Sequence, residues 1–366
     1  MDYFEGCPAC LRAGTPSSVA LRYAERPPLG FHTIGDWLSY PQVASLGEGN
    51  TPLSSLPRLA ESLGLNALYT KNEFANPTGS HKDRMGSMVV QRAIDVGAKT
   101  VAVASSGNAG VSVAAYAARA GLKSVVVTTP DISPNWRRAI EMHGGILMAT
   151  EHSDDRWALI AHHARRGDWY PVTNYKIPPV GSNPFGVDAY RAIALELHLQ
   201  LGKNPPTDIV VPTARGDLLW GICQGYQDLK DAGLVWAIPK VHAVEPYPRI
   251  RGALSGHGMV RDFSGNTEMV SIGGDSVTHQ SLHALEMVGG SSVDVSDHDV
   301  AADQRIIARE GLYLEHSSVA ALTGLRTLIG NMTILSGARI VLVATSHGYK
   351  EYVRYVDRLP VSDLPR

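Results

Sequence analysis

A lysine stands in the stretch NPTGSHKDR, residues 76–84, directly after a histidine. Asn-Pro-Thr-Gly-Ser is turn chemistry, because Pro fixes φ and Gly supplies the left-handed conformation. The following DRMGSMVVQRAIDVG has helical spacing. Lys82 is therefore expected at a helix N-terminus, where the positive end of the dipole disfavours an ammonium and helps lower its pKa. A neutral amine there can attack a carbonyl and form a Schiff base; a solvated surface charge is the commoner fate of a lysine. Two other stretches could hold anions. In ASSGNAG, residues 104–110, small residues let backbone amides approach a carboxylate or phosphate where a helix begins. VVPTARGDLLWGI, residues 210–222, has the same form, with the amides of 214–217 placed for a phosphate. Asp217 reads most simply as the N-cap of the helix that follows.

These loops need elements to aim them. From about residue 99 apolar runs alternate with helical patterns. TVAVA, KSVVVTTP, ILMAT, WYPVT, DIVVPT, KVHAVEP and ARIVLVATSHG read as strands. VSVAAYAARAG reads as a helix stopped by Gly121, and SPNWRRAIEMHGG as one capped by Ser133 with Pro134 in its first turn. SDDRWALIAHHARRG, VDAYRAIALELHLQLG, DLLWGICQGYQDLKDAG and a closing KEYVRYVDRL complete the set. The pattern predicts an α/β protein of two domains, each a mainly parallel twisted sheet covered by helices. The Pro/Gly-rich KIPPVGSNPFG, residues 176–186, is the best internal boundary. Ligands of such sheets sit at the carboxyl ends of strands, which selects the loops SSGNAG, ARGD and SHG.

Composition removes other classes of function. The 366 residues are 44% hydrophobic and 19% charged, with formal net charge -2. That is ordinary globular composition, with no basic tract for nucleic acid. The apolar window 101–118 carries Ser105, Ser106, Gly107, Asn108 and Gly110, which a membrane span rarely combines. The acidic start MDYFEGCPAC is no secretory signal, so a cytoplasmic protein is expected. Of three cysteines, Cys7 and Cys10 form one C-x-x-C. Zinc usually needs a second such pair, so no metal is expected.

GEGNTPL (47–53), NPTGSHKDR, ASSGNAGVSVAAYAARAGL, EGLYLEHSSVAALTGL (310–325) and ATSHGYKE (344–351) follow one another in this order. Together they resemble the pyridoxal-phosphate enzymes of the tryptophan-synthase-β fold (fold type II), threonine synthase most closely, over residues 44–352. The resemblance implies pyridoxal 5'-phosphate as cofactor and an amino acid as substrate. It implies Lys82 as the Schiff-base lysine and Asn108 at the cofactor's ring hydroxyl. Ser105, Ser106, Gly107 and Ala109 would take the substrate carboxylate. Thr213, Ala214, Arg215, Gly216 and Asp217 would surround the cofactor phosphate, with Thr345 at the pyridine nitrogen. His81 and His347 would face the substrate. It further implies a homodimer, with residues 46–86 and 181–366 forming a large cofactor domain, 87–180 a small substrate-side domain, and 1–45 an extension.

The likeness breaks where threonine synthase holds its substrate's phosphate. Val180, Gly181, Gly186 and Asp217 replace the family's polar or cationic residues, which predicts that phosphohomoserine is a poor substrate. Arg215 and Asp217 then become candidates for reading a different side chain. The expected chemistry is a β- or γ-elimination or replacement. Threonine synthase proper, a serine/threonine-type ammonia-lyase, a cysteine-synthase-like enzyme and a non-catalytic cofactor-binding protein are the alternatives.

Overall fold

The computed structural model describes residues 4–259 and 266–351. Its strands are β1 (Leu53–Ser55), β2 (Ala67–Lys71), β3 (Thr100–Ala104), β4 (Lys123–Thr128), β5 (Ile146–Ala149), β6 (Tyr170–Pro171), β7 (Asp208–Pro212), β8 (Lys240–Glu245), β9 (Ser292–Asp294) and β10 (Arg339–Val343). The helices are α1 (Pro8–Arg12), α2 (Pro57–Ser62), α3 (Lys82–Asp95), α4 (Asn108–Ala120), α5 (Pro134–Met142), α6 (Asp155–Arg165), α7 (Pro184–Asp188), α8 (Arg191–Leu201), α9 (Asp217–Asp231), α10 (Arg249–Leu254), α11 (His279–Val288), α12 (Asp297–Ala308) and α13 (His316–Gly330). Two sheets result. One runs β1-β2-β10-β7-β8-β9, and the other runs β5-β4-β3-β6. Every pairing is parallel except β1 with β2.

Both faces of each sheet are covered, which explains the near-continuous apolar runs. Ile209, Val211, Val341 and Val343 point into one core, packed with Ile193 of α8 and Leu219 of α9. Their neighbours Val210, Ile340 and Leu342 point into a second core with Val319 and Leu322 of α13. In the smaller sheet Val101 and Val103 join the first core, while Ala102 and Ala104 face Ile160 of α6. Among the described residues no helix is long and apolar enough to cross a membrane.

Local expectations fare unevenly. Gly121 ends α4 at φ 70, a left-handed cap that glycine adopts without strain. Pro134 opens α5, but Ser133 makes no cap hydrogen bond, and its hydroxyl is buried without a partner. WYPVT pairs only over Tyr170–Pro171; β6 is an edge strand, and Pro171 has no amide to donate. VDAYRAIALELHLQLG divides into α7 and α8, leaving Tyr190 at the junction. Asp217 is not the cap of α9. It is the first helical residue, and the cap position belongs to Gly216 at φ 100. KEYVRYVDRL lies almost wholly outside the described residues.

Candidate active site

A cavity of about 1340 Å³ is lined at the carboxyl ends of β3, β4, β7, β8 and β10. Lys82 lines it from the first residue of α3. Its Nζ stands 3.4 Å from the Tyr190 hydroxyl. Burial pulls the Lys82 amine below its ordinary pKa; Asp217 opposes that shift and Arg215 adds to it. His81, also at the wall, donates its amide to the Thr345 carbonyl at 2.9 Å. Burial drives the His81 pKa well down, with the Lys82 charge acting the same way, so its imidazole is neutral at pH 7.

Behind Lys82 a buried ion cluster fixes the start of α3. Arg84 Nε donates to Glu73 at 2.7 Å, and Nη1 donates to Glu196 at 2.7 Å. Lys71 Nζ donates to the same Glu196 at 2.5 Å and to the Thr51 carbonyl at 2.7 Å. Glu196 also accepts the Asn50 amide at 2.7 Å. The GEGNTPL loop, β2, α3 and α8 thus meet at two carboxylates and two cations.

Ser105, Ser106, Gly107, Asn108 and Ala109 line the cavity where β3 gives way to α4. The Asn108 amide group is held from both ends. Its Nδ2 donates to Glu315 at 3.0 Å and to the Ser271 hydroxyl at 3.2 Å, and its Oδ1 accepts from Lys350 Nζ at 2.7 Å. Burial pulls the Lys350 amine down to about 8, against the raising pull of Glu315 and Asp83. The second Glu315 oxygen is buried with no partner among the described residues.

Thr213, Ala214, Arg215, Gly216 and Asp217 line the cavity across from that loop. Arg249 donates to the Thr213 carbonyl at 2.9 Å, and Thr278 donates to the Arg215 carbonyl at 2.8 Å. These bonds turn carbonyls away and leave the loop at the amino end of the 15-residue α9. Gly216 is required twice over. Its φ is left-handed, and a Cβ there would lie 2.3 Å from Ser281 Cβ. Asp217 accepts from the Ser182 hydroxyl at 2.7 Å and the Ser182 amide at 3.2 Å. Its carboxylate therefore ties the loop to residue 182, the role that takes the place of the expected cap. Thr345 lines the cavity just beyond β10.

Some expected residues lie elsewhere. His347 is not in the cavity wall. Its ring sits 5.4 Å from that of Tyr349 and close above Gly79, because residue 347 is bridged to Leu314. Val180, Gly181 and Gly186 also lie off the cavity. Val180 is buried with its amide on Asn174 Oδ1 at 2.9 Å. A Cβ at 181 would meet Gln280 at 2.4 Å, and one at 186 would meet Met85 at 2.8 Å. Of the four departures from the family, only Asp217 touches the space a substrate would fill. Conversely, Tyr190, Glu315, Lys350, Arg156 and Trp157 belong to the site and carried no sequence signal of their own. Glu315 and Lys350 fall inside quoted motifs; Arg156 and Trp157 sit in an ordinary helical pattern. Among the described residues no group of three or more His, Cys, Asp or Glu is placed to hold a metal ion.

A lysine at a helix start, facing two amide-rich loops across a cavity between parallel sheets, defines a fold type II cofactor enzyme. The chain belongs to the pyridoxal-phosphate-dependent enzyme family, whose pattern matches residues 44–346. It is 31% identical to threonine synthase of Methanosarcina acetivorans over 327 residues, covering 86% of this chain and 78% of the relative. It is 29% identical to threonine synthase of Methanocaldococcus jannaschii, covering 85% and 77%. In fold it is similar to an L-serine ammonia-lyase from Rhizomucor miehei, with TM-score 0.70, 23% identity and coverage of 84% and 95%. It is likewise similar to O-ureido-L-serine synthase, with TM-score 0.68, 21% identity and coverage of 88% and 93%. The cofactor is pyridoxal phosphate, and the enzyme is a pyridoxal-phosphate-dependent lyase. The residues present suit that group: an amine of lowered pKa, a loop of free amides at a helix N-terminus for its phosphate, and a neutral hydroxyl at the end of β10.

Proposed function

We propose that this enzyme eliminates or replaces a β or γ substituent of an amino acid. The reading rests on one observation above the others: Lys82 and Thr345 share one cavity wall, and the group ending β10 is a hydroxyl. When bound, pyridoxal phosphate supplies an electron sink for charge developing at the substrate Cα. A carboxylate in place of Thr345 would hold the ring nitrogen protonated and deepen that sink; a hydroxyl does not, which favours loss of a substituent over amino-group transfer.

The chain's own groups then have distinct tasks. Lys82 would hold the cofactor, and its free amine would take the Cα proton on Nζ. Burial lowers its pKa and so favours the neutral amine that this requires. The amides of Ser106, Asn108 and Ala109 would receive the substrate carboxylate, the Ser105 amide being on the Val127 carbonyl and the Gly107 amide on the Ser105 hydroxyl, and those of 214–217 the cofactor phosphate, each at a helix N-terminus. Asn108, clamped by Glu315 and Lys350, presents a fixed amide to the ring hydroxyl. His81 is the substrate-side histidine. The same reading carries the large and small domains as residues 46–86 with 181–366, and 87–180. A homodimer rests on the resemblance alone.

The test is an absorbance screen of the holoenzyme against amino acids bearing β or γ leaving groups, O-phospho-L-homoserine among them. A shift of the cofactor band with release of the leaving group supports the reading. A cofactor band that no amino acid moves, with no product, would establish a non-catalytic binding protein instead. Threonine formed efficiently from O-phospho-L-homoserine would select the second reading, threonine synthase, which the names of the relatives favour. A further check concerns the phosphate loop. Gly216→Ala must distort a left-handed residue packed on Ser281. It is expected to raise the Kd for pyridoxal phosphate by about tenfold or more, as for loss of one charge-assisted hydrogen bond. Fluorescence titration of the apo-enzyme reads this directly.

A further inference from the structure

Lys350 reaches the cavity wall from a short 3-10 turn, Gly348–Lys350, that follows β10. Its side chain lies against the turn that leads into α3: a Cβ at residue 79 would be 3.1 Å from Lys350 Cε. Nζ ends 2.7 Å from Asn108 Oδ1, its one acceptor among the described residues. An ammonium carries three donors, so two are left over. Among the described residues no carboxylate pairs with it directly; Glu315 and Asp83 act on it through space. With burial set against them, its pKa of about 8 still leaves the amine mostly charged at pH 7.

The orientation of the Asn108 amide is dictated by its neighbours. A carboxylate can only accept and an ammonium can only donate. Glu315 therefore fixes Nδ2, and Lys350 fixes Oδ1. Both hydrogens on Nδ2 are in use, at 3.0 Å on Glu315 and 3.2 Å on the Ser271 hydroxyl. Asn108 has at most the hydrogen on Ser271 to turn toward a cofactor, and an amide brings no net charge. The ring hydroxyl of pyridoxal phosphate ionises readily, and an anion in a shielded wall calls for a cation. Lys350 touches the very amide that the resemblance assigns to that oxygen. Other cations nearby are not available. His81 is neutral, and His316, whose pKa Glu351 raises, is engaged by Glu351 at 2.7 Å. His347, which Lys350 also pushes toward neutrality, lies off the wall.

We propose that Lys350 is a cofactor-binding residue: its ammonium, steered by Asn108, meets the ring oxygen of pyridoxal phosphate and holds it as the anion. This deepens the placement of that oxygen at Asn108 given above, and rests on it. Glu315 acts one step back, by turning the amide that aims Lys350. The positive charge that tunes the ring then sits at its oxygen and not at Thr345, whose hydroxyl is neutral.

Fluorescence titration of the apo-enzyme tests it, with pyridoxal 5'-phosphate and its 3-O-methyl ether as probes. The ether keeps the aldehyde and the phosphate, so Lys82 and residues 214–217 contribute to both, but its ring oxygen cannot ionise. At pH 7 wild type should bind pyridoxal phosphate about tenfold or more tighter than the ether, as one charge-assisted hydrogen bond requires. That preference should shrink above about pH 8, where free Lys350 gives up its proton. Lys350→Met should lose about tenfold of the preference and bind the ether within about twofold of wild type. Lys350→Arg, which keeps the charge, should retain most of it, and Lys350→Gln, which offers Asn108 a donor without charge, should not. In Lys350→Met the absorbance band of bound pyridoxal phosphate should also titrate at higher pH, because loss of a nearby cation makes proton loss harder. Equal losses for both probes would make Lys350 a packing residue and overturn the proposal. So would a wild type without preference. If the placement of the ring is itself wrong, Asn108→Ala leaves the preference intact and both ideas fall together. A loss in Asn108→Ala without one in Lys350→Met overturns the role of Lys350 alone.

Discussion

Lys82→Ala is expected to lower turnover by about 10⁴-fold, at the upper end for loss of a proton-transferring group, while leaving the protein as stable as wild type or more so. The two halves of this result have one cause. The Lys82 amine is shielded at the cavity wall, with only the Tyr190 hydroxyl within hydrogen-bond reach among the described residues and Arg215 adding repulsion. Its charged form is therefore disfavoured in the folded state. Below its folded pKa the wild type carries that cost in full. As pH rises toward the ordinary lysine value, the unfolded chain holds the proton longer than the folded one, and stability increases. The alanine variant lacks both the cost and this rise. Thermal unfolding of the two apo-proteins at pH 7 and pH 10 measures it, alongside turnover by the holoenzymes of whichever amino acid moves the cofactor band. A variant that loses activity together with several degrees of Tm at both pH values would make Lys82 a scaffold residue.

Arg84→Met is expected to cost about 3–5 kcal/mol of folding stability, the usual result of removing one partner from a buried ion pair. Arg84 is 3% exposed and Glu73 and Glu196 are at most 1% exposed, so the carboxylates left behind have little water to turn to. Lys71 alone would face both. The same cluster sets an acid limit. Arg84 and Lys71 outweigh burial and hold Glu196 down to about 2. Its folded pKa lies below the unfolded one, so its contribution is complete above about pH 4.5 and fades as pH falls toward 2. Urea unfolding between pH 7 and pH 3 should show wild type losing stability in the lower part of that range. Arg84→Met should lose less there, because Glu196 no longer has its main cation. Equal slopes in the two proteins would remove Glu196 from the account.

The sequence announces what depends on neighbours along the chain. Lys82 is legible because a Gly/Pro turn and a helical pattern meet there, and residues 105–109 and 213–217 because an apolar run ends in small residues before a helix. The succession of strands and helices along the chain needs only alternation of period. What stays hidden depends on distance in space. Tyr190 reaches Lys82 because α7 and α8 break at that point, and Gly221 of α9 lets the junction pack closely: a Cβ at 221 would meet Tyr190 Cβ at 2.4 Å. Arg156 and Trp157 read as helix surface until α6 is laid against the cavity. Asp217 was misassigned for a related reason. Its local signal is that of a cap, but Ser182, 35 residues earlier, is the stronger partner. The comparison of Val180, Gly181 and Gly186 with the family's residues likewise gave letters without depth, and all three positions serve packing.

The strand order of the six-stranded sheet carries a timetable. β10 lies between β2 and β7, and Ser346 bridges Ser80. On a ribosome, the four-stranded sheet has all its strands once residue 171 has emerged, and local parallel units of that kind can begin to fold as they appear. The larger sheet must wait for residues 339–343. Until then β2 and β7 have no strand between them, and each offers an open edge to other chains. The lysine made early has no hydroxyl opposite it until Thr345 arrives. A chain that stops short of residue 339 therefore has one finished sheet, a sticky edge and a cofactor cavity open on the side of Thr345, so that colour itself would mark the chains that carry β10.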